Sequence, residues 1–326
     1  MKRPTLTASP RILVIAGPTA SGKTEVAYEI SKTIPAEIIS CDSMQVYKGM
    51  SLVTQASANK PGTKRKGGAS LPRTHLVSFI PPSKEYSAAR FRKDAIKLIH
   101  KIIKKKKIPI ITCGTGLYLR ALLDGLFESK NTSDKDEALR KQLLSQQEMN
   151  GGNYLHEQLN RVDPQSAHKI HPNDIRRVVR ALEVFTLTKK PISEQKPNRK
   201  GIRDEFDCRI FVLNRDREEL YGKINRRVDR MLKEGLLDEV KKLIRKDLSQ
   251  TAQMALGVRE IARALSGELN LHQSIELLKK NTRNYAKRQL SWFRHERGAE
   301  LVPVIAEEKA SETADRILQM WAKPDA

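Results

Sequence analysis

A chain of 326 residues exceeds one ordinary domain and is long enough to bury a substantial core, so a main domain with a sizeable insertion or appendage is expected. Its 61 Lys and Arg against 38 Asp and Glu leave a net charge of +23 spread over both halves, which points to a polyanionic partner such as nucleic acid; a lysine-rich soluble protein is the alternative. Three scattered cysteines, Cys41, Cys113 and Cys208, argue against a disulfide framework or structural zinc site, and no apolar run approaches the ~20 residues of a membrane span, so a cytoplasmic protein without a membrane partner is expected.

Arg11–Ala16 (RILVIA) is a short apolar, β-branched run followed at once by Gly-Pro-Thr and then by a helical pattern over Lys23–Thr33: strand, loop, helix. Residues 37–41 (EIISC) predict a second buried strand. The stretch 58–73 is rich in Pro, Gly, Lys and Arg without periodicity and reads as a mobile loop. Over 88–107, apolar Phe91, Ala95, Leu98, Ile99, Ile102 and Ile103 recur at helical spacing before a lysine run that suits a helix C-terminus. Ile108–Cys113 (IPIITC) predicts a third strand leading into Gly114. Strands alternating with helices imply a parallel, doubly wound sheet.

From about 127 to 206 the pattern becomes polar and helix-forming, including 136–149 and Ile175–Thr188. Strand character returns over 209–213 (RIFVL), and Asp216 is placed to cap a long helix carrying Tyr221, Ile224, Val228, Met231 and Leu232. A helix-rich segment then runs to about Arg297. The expected fold is therefore α/β, a P-loop NTPase-like parallel sheet flanked by helices with an inserted all-helical domain. Its parts are a core over 1–126, the insertion over 127–207 and the second part of the core, mainly helical, over 208–326.

The segment Gly17, Pro18, Thr19, Ala20, Ser21, Gly22, Lys23, Thr24 fits GxxxxGK[ST] in its required setting, after a strand and before a helix. Gly17 and Gly22 let the backbone wrap an anion, successive N–H groups and the helix N-terminus supply partial positive charge, Lys23 adds a full one, and the Thr24 hydroxyl can ligate Mg²⁺. A kinase or NTPase should also show an apolar strand ending in Asp, for which Cys41-Asp42 is the candidate; Ile108–Cys113 ends instead in Gly114-Thr115.

The blocks ISCDSMQVYKGM (39–50), Tyr86-Ser87 with Phe91, GTGLYLRALL (114–123), IHPNDIRRVVRALEV (170–184) and AKRQLSWFR (286–294) occur in the order found in the tRNA dimethylallyltransferases, or isopentenyl-tRNA transferases. The chain resembles that family, of the bacterial type without a Cys/His zinc pattern, over roughly 11–297. The resemblance implies transfer of a dimethylallyl group from dimethylallyl diphosphate to N6 of the adenosine beside the tRNA anticodon, giving N6-dimethylallyladenosine. It also implies a phosphate loop that holds the diphosphate rather than hydrolysing ATP, a helical insertion that helps clamp the anticodon stem-loop, Mg²⁺ as cofactor and a monomeric enzyme. On the family pattern Asp42 takes the N6 proton, Thr115 hydrogen-bonds near the leaving oxygen, and Arg227 reaches the diphosphate. Asp42, Ser43, Met44 and Gln45 would meet tRNA, as would Arg176, Arg177, Val178, Val179 and Arg180.

Each assignment has a plainer alternative: Asp42 or Thr115 as turn residues, Arg227 on a solvated helix face with Arg226 and Arg230, and the arginines of 175–188 paired with Glu183. Trp292 and Phe293 beside Lys287 and Arg288 invite base stacking, but core packing is the preferred reading. Departures from the family pattern stand at Val53-Thr54-Gln55, where Gly-Thr-Ala is usual, at Cys113 in place of Gly, at Ser78 in place of Asp and at Val258 in place of Tyr. Functional alternatives are an adenylate prenyltransferase, a P-loop nucleotide kinase and an RNA-binding protein that has lost catalysis.

Overall fold

The computed structural model describes residues 10–56, 72–126, 136–195 and 200–323, which form two compact units, 124–201 and the remainder of the chain. The predicted loop at 58–73 lies almost wholly outside the described residues.

The larger unit is built on a six-stranded sheet, all parallel, in the order β3-β2-β4-β1-β5-β6. The strands are β1 (Arg11–Ala16), β2 (Ala36–Cys41), β3 (Thr74–His75), β4 (Ile108–Cys113), β5 (Asp207–Arg215) and β6 (Ala299–Val304). The inner strands read as continuous apolar runs because both sheet faces are covered. Alternate residues serve the two faces: Leu13, Ile15, Ile38, Ile110, Phe211 and Leu213 pack with helices α1 (Lys23–Thr33) and α15 (Ala310–Ala322). Ile12, Val14, Ile39, Ile111, Ile210 and Val212 face the opposite way. There they meet α2 (Ser51–Thr54), α3 (Ala88–Lys104), α4 (Gly116–Leu123), α10 (Arg217–Lys233), α11 (Leu236–Leu243), α12 (Gln250–Gln253), α13 (Val258–Leu265) and α14 (Leu271–Arg294).

The strand registers decide where the site forms. Cys113 of β4 lies level with Ala16 of β1 on one side and Cys41 of β2 on the other, so Gly17, Asp42 and Gly114 emerge side by side at the carboxyl ends of three adjacent strands. In open parallel sheets this edge is where ligands bind. Backbone bonds tie the exits together: Gly17 N–H donates to Cys113 O at 3.2 Å, and the N–H groups of Gly114 and Thr115 donate to Cys41 O, each at 3.3 Å.

The smaller unit is helical throughout its described residues: α5 (Glu137–Asn150), α6 (Tyr154–Val162), α7 (Pro164–Lys169), α8 (Ile175–Thr188) and the short α9 (Ile192–Gln195). Leu155, Leu159, Ala167, Val178, Val179, Ala181 and Leu182 make its core. Beside them Glu183, fully buried, pairs with Arg140 at 2.7 Å and with Arg180 at 2.6 Å, and also accepts the N–H of Asp136 at 2.9 Å. These charged partners hold its carboxyl below the usual range although burial pushes the other way.

Beyond the helix-rich stretch that ends with α14, β6 and α15 complete the core, β6 pairing with β5 and α15 packing on α1. Two expectations are corrected. The helical insertion ends at Gly201 rather than 207, because Ile202 and Phe206 bury their side chains in the sheet core and Asp207 already begins β5. The helix from Ala88 stops at Lys104, since Lys106 takes a left-handed φ of 56° ahead of β4. No helix among the described residues is long and apolar enough to cross a membrane.

Candidate active site

The phosphate loop leaves β1 at Gly17, whose φ of 149° suits glycine; a Cβ there would approach Ser21 Oγ to 3.0 Å and the Leu213 carbonyl to 3.1 Å. Gly22, at φ 100°, precedes α1 with no side chain capping the helix, so the N-terminal N–H groups of α1 remain for a ligand. Lys23 folds back over the loop and donates to Pro18 O at 2.7 Å. Arg215, from the end of β5, donates to Ser21 O at 3.0 Å and is held by Glu219 at 2.6 Å.

Asp42 follows β2. Its Oδ1 accepts from Met44 N–H at 2.8 Å and Gln45 N–H at 3.3 Å, so the turn-forming role weighed from sequence is real. It occupies one oxygen only. Oδ2 turns toward Gly114, where an added methyl group would stand 3.4 Å from it, and Asp42 borders a cavity of about 960 Å³. That cavity is lined from the phosphate loop by Thr19, Ala20, Gly22, Lys23 and Thr24, and from the far wall by Arg227, Tyr285 and Gln289. Met44, Gln45, Val53 and Thr54 also line it.

The charge balance of this cavity favours an anion. Lys223, Arg226, Arg227, Arg230, Arg259 and Arg288 border it, with Asp42, Glu25 and Glu260 among the acids. Burial lowers the Lys23 ammonium to about 8, with Arg227 pushing the same way and Asp42 opposing. Arg227 is itself lowered to about 10, again mainly by burial, against the pull of Asp42 and Glu25. A group lowered in this way is charged below its pKa and neutral above it. If the loop holds the diphosphate that the family resemblance implies, affinity for it should therefore be flat below pH 8 and weaken by up to about tenfold per pH unit above it, since the diphosphate itself is fully ionised by then. Titration calorimetry from pH 6.5 to 9.5 reads this, and Lys23→Arg should remove the break; an unbroken wild-type profile would mean that Lys23 is not the titrating contact.

Thr115, partly exposed, follows Gly114 at the exit of β4. Its hydroxyl accepts Ser43 N–H at 3.1 Å and bonds the Ser43 hydroxyl at 3.4 Å, fastening the exit of β4 to the turn after Asp42. It also bonds Tyr285, whose phenol is pushed up mainly by burial and then by Asp42. Ser43 itself is absent from the cavity lining, and its described bonds are these ties to Thr115.

Gln289 is the principal feature that sequence reading missed. It stands on α14 one turn beyond Tyr285 and two beyond Asn281, a polar row on a helix that otherwise buries Leu278, Ala286 and Phe293. That row was the available signal. The aromatic pair nearby packs structurally: Phe293 is fully buried, and Trp292 lies against Gly116, where a Cβ would clash at 2.3 Å, with Arg120 4.5 Å above its ring.

In the helical unit, Arg176 and Arg177 are exposed, Arg177 pairing with Asp174 at 3.3 Å. Val178 and Val179 are corrected: at 0% and 5% exposure they belong to the unit's core and have no surface to offer an RNA. Arg180 is committed to Glu183. The departures from the family pattern are absorbed locally. Val53, Cys113 and Val258 are buried in the sheet core, with Cys113 Sγ 3.0 Å from Cys41 Sγ, while Gln55 and Ser78 take left-handed φ values of 57° and 49°.

A donor set for magnesium exists in part. Thr24 borders the cavity and offers a hard hydroxyl oxygen, and among the described residues no group of three or more His, Cys, Asp or Glu gathers to cage a metal alone. Such a hydroxyl suits Mg²⁺, which keeps waters and completes its shell with phosphate oxygens.

A parallel sheet whose phosphate loop, carboxylate and buried cations share one cavity defines a phosphate-loop fold with a site suited to an anionic ligand. The model of the IPP transferase family matches residues 45–296, and that of isopentenyl transferase matches 10–65. The chain belongs to the IPP transferase family. A tRNA dimethylallyltransferase from Acetivibrio thermocellus is 44% identical over 285 residues, 87% of this chain and 88% of that protein. One from Thermosipho africanus is 42% identical over 311 residues, 94% and 98% of the two chains. Among solved structures, a eukaryotic dimethylallyltransferase captured in crystallographic snapshots acting on tRNA is similar at a TM-score of 0.78 and 29% identity, over 96% of this chain and 79% of that one. The full-length tRNA isopentenylpyrophosphate transferase of Bacillus halodurans is similar at a TM-score of 0.64 and 35% identity, over 95% and 96%.

Proposed function

We infer that this chain transfers a dimethylallyl group from dimethylallyl diphosphate to N6 of the adenosine beside the anticodon of tRNA. The observation that carries this reading is the shared cavity: a carboxylate oxygen and a phosphate loop face one space, in a chain 44% identical to a tRNA dimethylallyltransferase. An adenine N6 amine is a weak nucleophile because its lone pair is delocalised into the ring. As the allylic C1–O bond breaks and the C1–N6 bond forms, the N6 proton passes to the Asp42 carboxylate and the diphosphate departs with the electron pair of the C–O bond. The loop N–H groups, Lys23 and Arg227 stabilise the charge that grows on the leaving oxygen. Magnesium held by Thr24 would neutralise part of that charge. Thr115 acts by fixing the turn that aims Asp42.

The exposed arginines of α8 and the net charge of +23 support a polynucleotide acceptor over a free nucleotide. Arg176→Ala should weaken tRNA binding and lower the slope of log affinity against log salt by about one unit, as expected for one lost phosphate contact. An unchanged slope would mean that this guanidinium meets solvent alone. Arg180 is not a clean test, because its removal takes one of two guanidinium partners from buried Glu183 and leaves Arg140 alone with it.

The reading is tested by supplying dimethylallyl diphosphate or ATP to the enzyme with Mg²⁺, with and without tRNA. Diphosphate release from the prenyl donor should require tRNA, and ATP should release no phosphate. ATP turnover without prenyl transfer would favour a nucleotide kinase, and tRNA binding without turnover of either donor would favour an RNA-binding protein that has lost catalysis.

A further inference from the structure

Gln289 is 7% exposed, and both ends of its amide are engaged. Oε1 accepts the N–H of Thr19, in the phosphate loop, at 2.8 Å, and Nε2 donates to the carbonyl of Gly114, at the exit of β4, at 2.7 Å. One partner is a donor and the other an acceptor, and the amide, with an acceptor oxygen and a donor nitrogen at this reach, satisfies both. A carboxylate would set an oxygen against the Gly114 carbonyl, and an aliphatic side chain would leave both backbone groups unpaired in a buried place.

The two backbone groups belong to opposite halves of the reaction. Thr19 lies in the loop proposed to hold the diphosphate, whereas Gly114 is the residue against which Asp42 rests: a methyl group built on it would stand 3.4 Å from Asp42 Oδ2 and 3.3 Å from Gln289 Nε2. The glutamine comes from a helix 175 and 270 residues away along the chain from its two partners. It therefore adds a side-chain tie, farther along the loop, to the backbone bond by which Gly17 meets Cys113.

We propose that Gln289 is a positioning residue that sets the spacing between the leaving-group site and the acceptor base by clipping the phosphate loop to the turn beside Asp42. This rests on the prenyl-transfer reading above. The step whose geometry it controls is the in-line exchange of the C1–O bond for the C1–N6 bond; if the acceptor amine stands too far from C1 as the C1–O bond weakens, water takes its place. The products are then dimethylallyl alcohol and diphosphate instead of the modified nucleoside.

The test uses the full-length chain with labelled dimethylallyl diphosphate and tRNA under single-turnover conditions, counting labelled tRNA and labelled alcohol separately. Gln289→Leu keeps the side chain's bulk and removes both bonds; Gln289→Glu keeps the Thr19 bond and removes the other. With a displacement of about 1 Å costing on the order of 10²-fold, transfer should fall by about that factor in the leucine variant and less in the glutamate variant. Apparent KM for each substrate should stay within about threefold, and the share of donor ending as alcohol should rise by about tenfold or more. Thermal melts report the folded fraction. If activity falls only in proportion to that fraction, with the alcohol share unchanged, Gln289 is a packing residue and the proposal is overturned. If the leucine variant does not fold, the glutamate variant alone decides on the same two readouts. Wild-type enzyme that transfers nothing to tRNA would instead remove the underlying reading.

Discussion

Asp42→Asn lowers single-turnover prenyl transfer by about 10² to 10⁴ while the enzyme still binds both substrates, if the carboxylate is the general base. Oδ1 of Asp42 caps the turn by accepting from Met44 and Gln45, and Asn can do the same. The substitution therefore leaves the turn in place and changes the oxygen that faces Gly114 and the cavity, removing its charge and its basicity. A residue that served only as a turn would stay near wild-type activity as Asn. Because the Asp42 charge also raises the Lys23 pKa, its loss moves that group below about 8, so the comparison belongs at pH 7 or under. A fall of less than about tenfold in an enzyme that melts normally would defeat the assignment of Asp42 as base.

Lys23→Ala should remove most activity, by about 10² to 10³, the loss typical when one charged or hydrogen-bonding contact to developing negative charge is deleted. Affinity for tRNA should change by less than about threefold, since Lys23 sits in the loop and donates to Pro18 within it. The loss should persist at saturating dimethylallyl diphosphate, because an ammonium that meets the diphosphate more strongly as its charge grows contributes to kcat as well as to binding. Near-normal turnover at saturation would mean that the loop binds the donor without stabilising its departure.

The central sheet was readable because its strands bury both faces. Arg11–Ala16 and Ile108–Cys113 are predominantly apolar runs that end at a glycine, and they coincide with β1 and β4. The long helices were readable from their apolar rows: Ile175–Thr188 is α8 residue for residue. β6 was not readable. It is an edge strand that buries only Val302 and Val304, exposes Leu301, and carries Pro303, so it has no continuous apolar run to announce it. The insertion boundary was misplaced because Ile202 and Phe206 are isolated apolar residues with no periodic neighbours, and only the assembled core recruits them.

The site divides the same way. Its floor lies at the exits of adjacent strands, so the phosphate loop, Asp42 and Gly114 could be found from motifs placed on predicted strands. Its far wall is brought in by α10 and α14, whose polar residues look like solvated helix faces until the fold turns them inward. Arg227 entered through the family resemblance alone; Tyr285 and Gln289 entered only with the structure. Val178 and Val179 failed for the opposite reason: a motif copied as a block carries its buried residues along with its exposed ones.

The most direct measurement incubates the enzyme with labelled dimethylallyl diphosphate, Mg²⁺ and either total tRNA or AMP, then digests the products to nucleosides. Label should appear in the RNA as N6-dimethylallyladenosine, at a position beside the anticodon, and AMP should stay unlabelled. Label on AMP with none in tRNA would contradict a tRNA acceptor, and no label in either would contradict prenyl transfer itself.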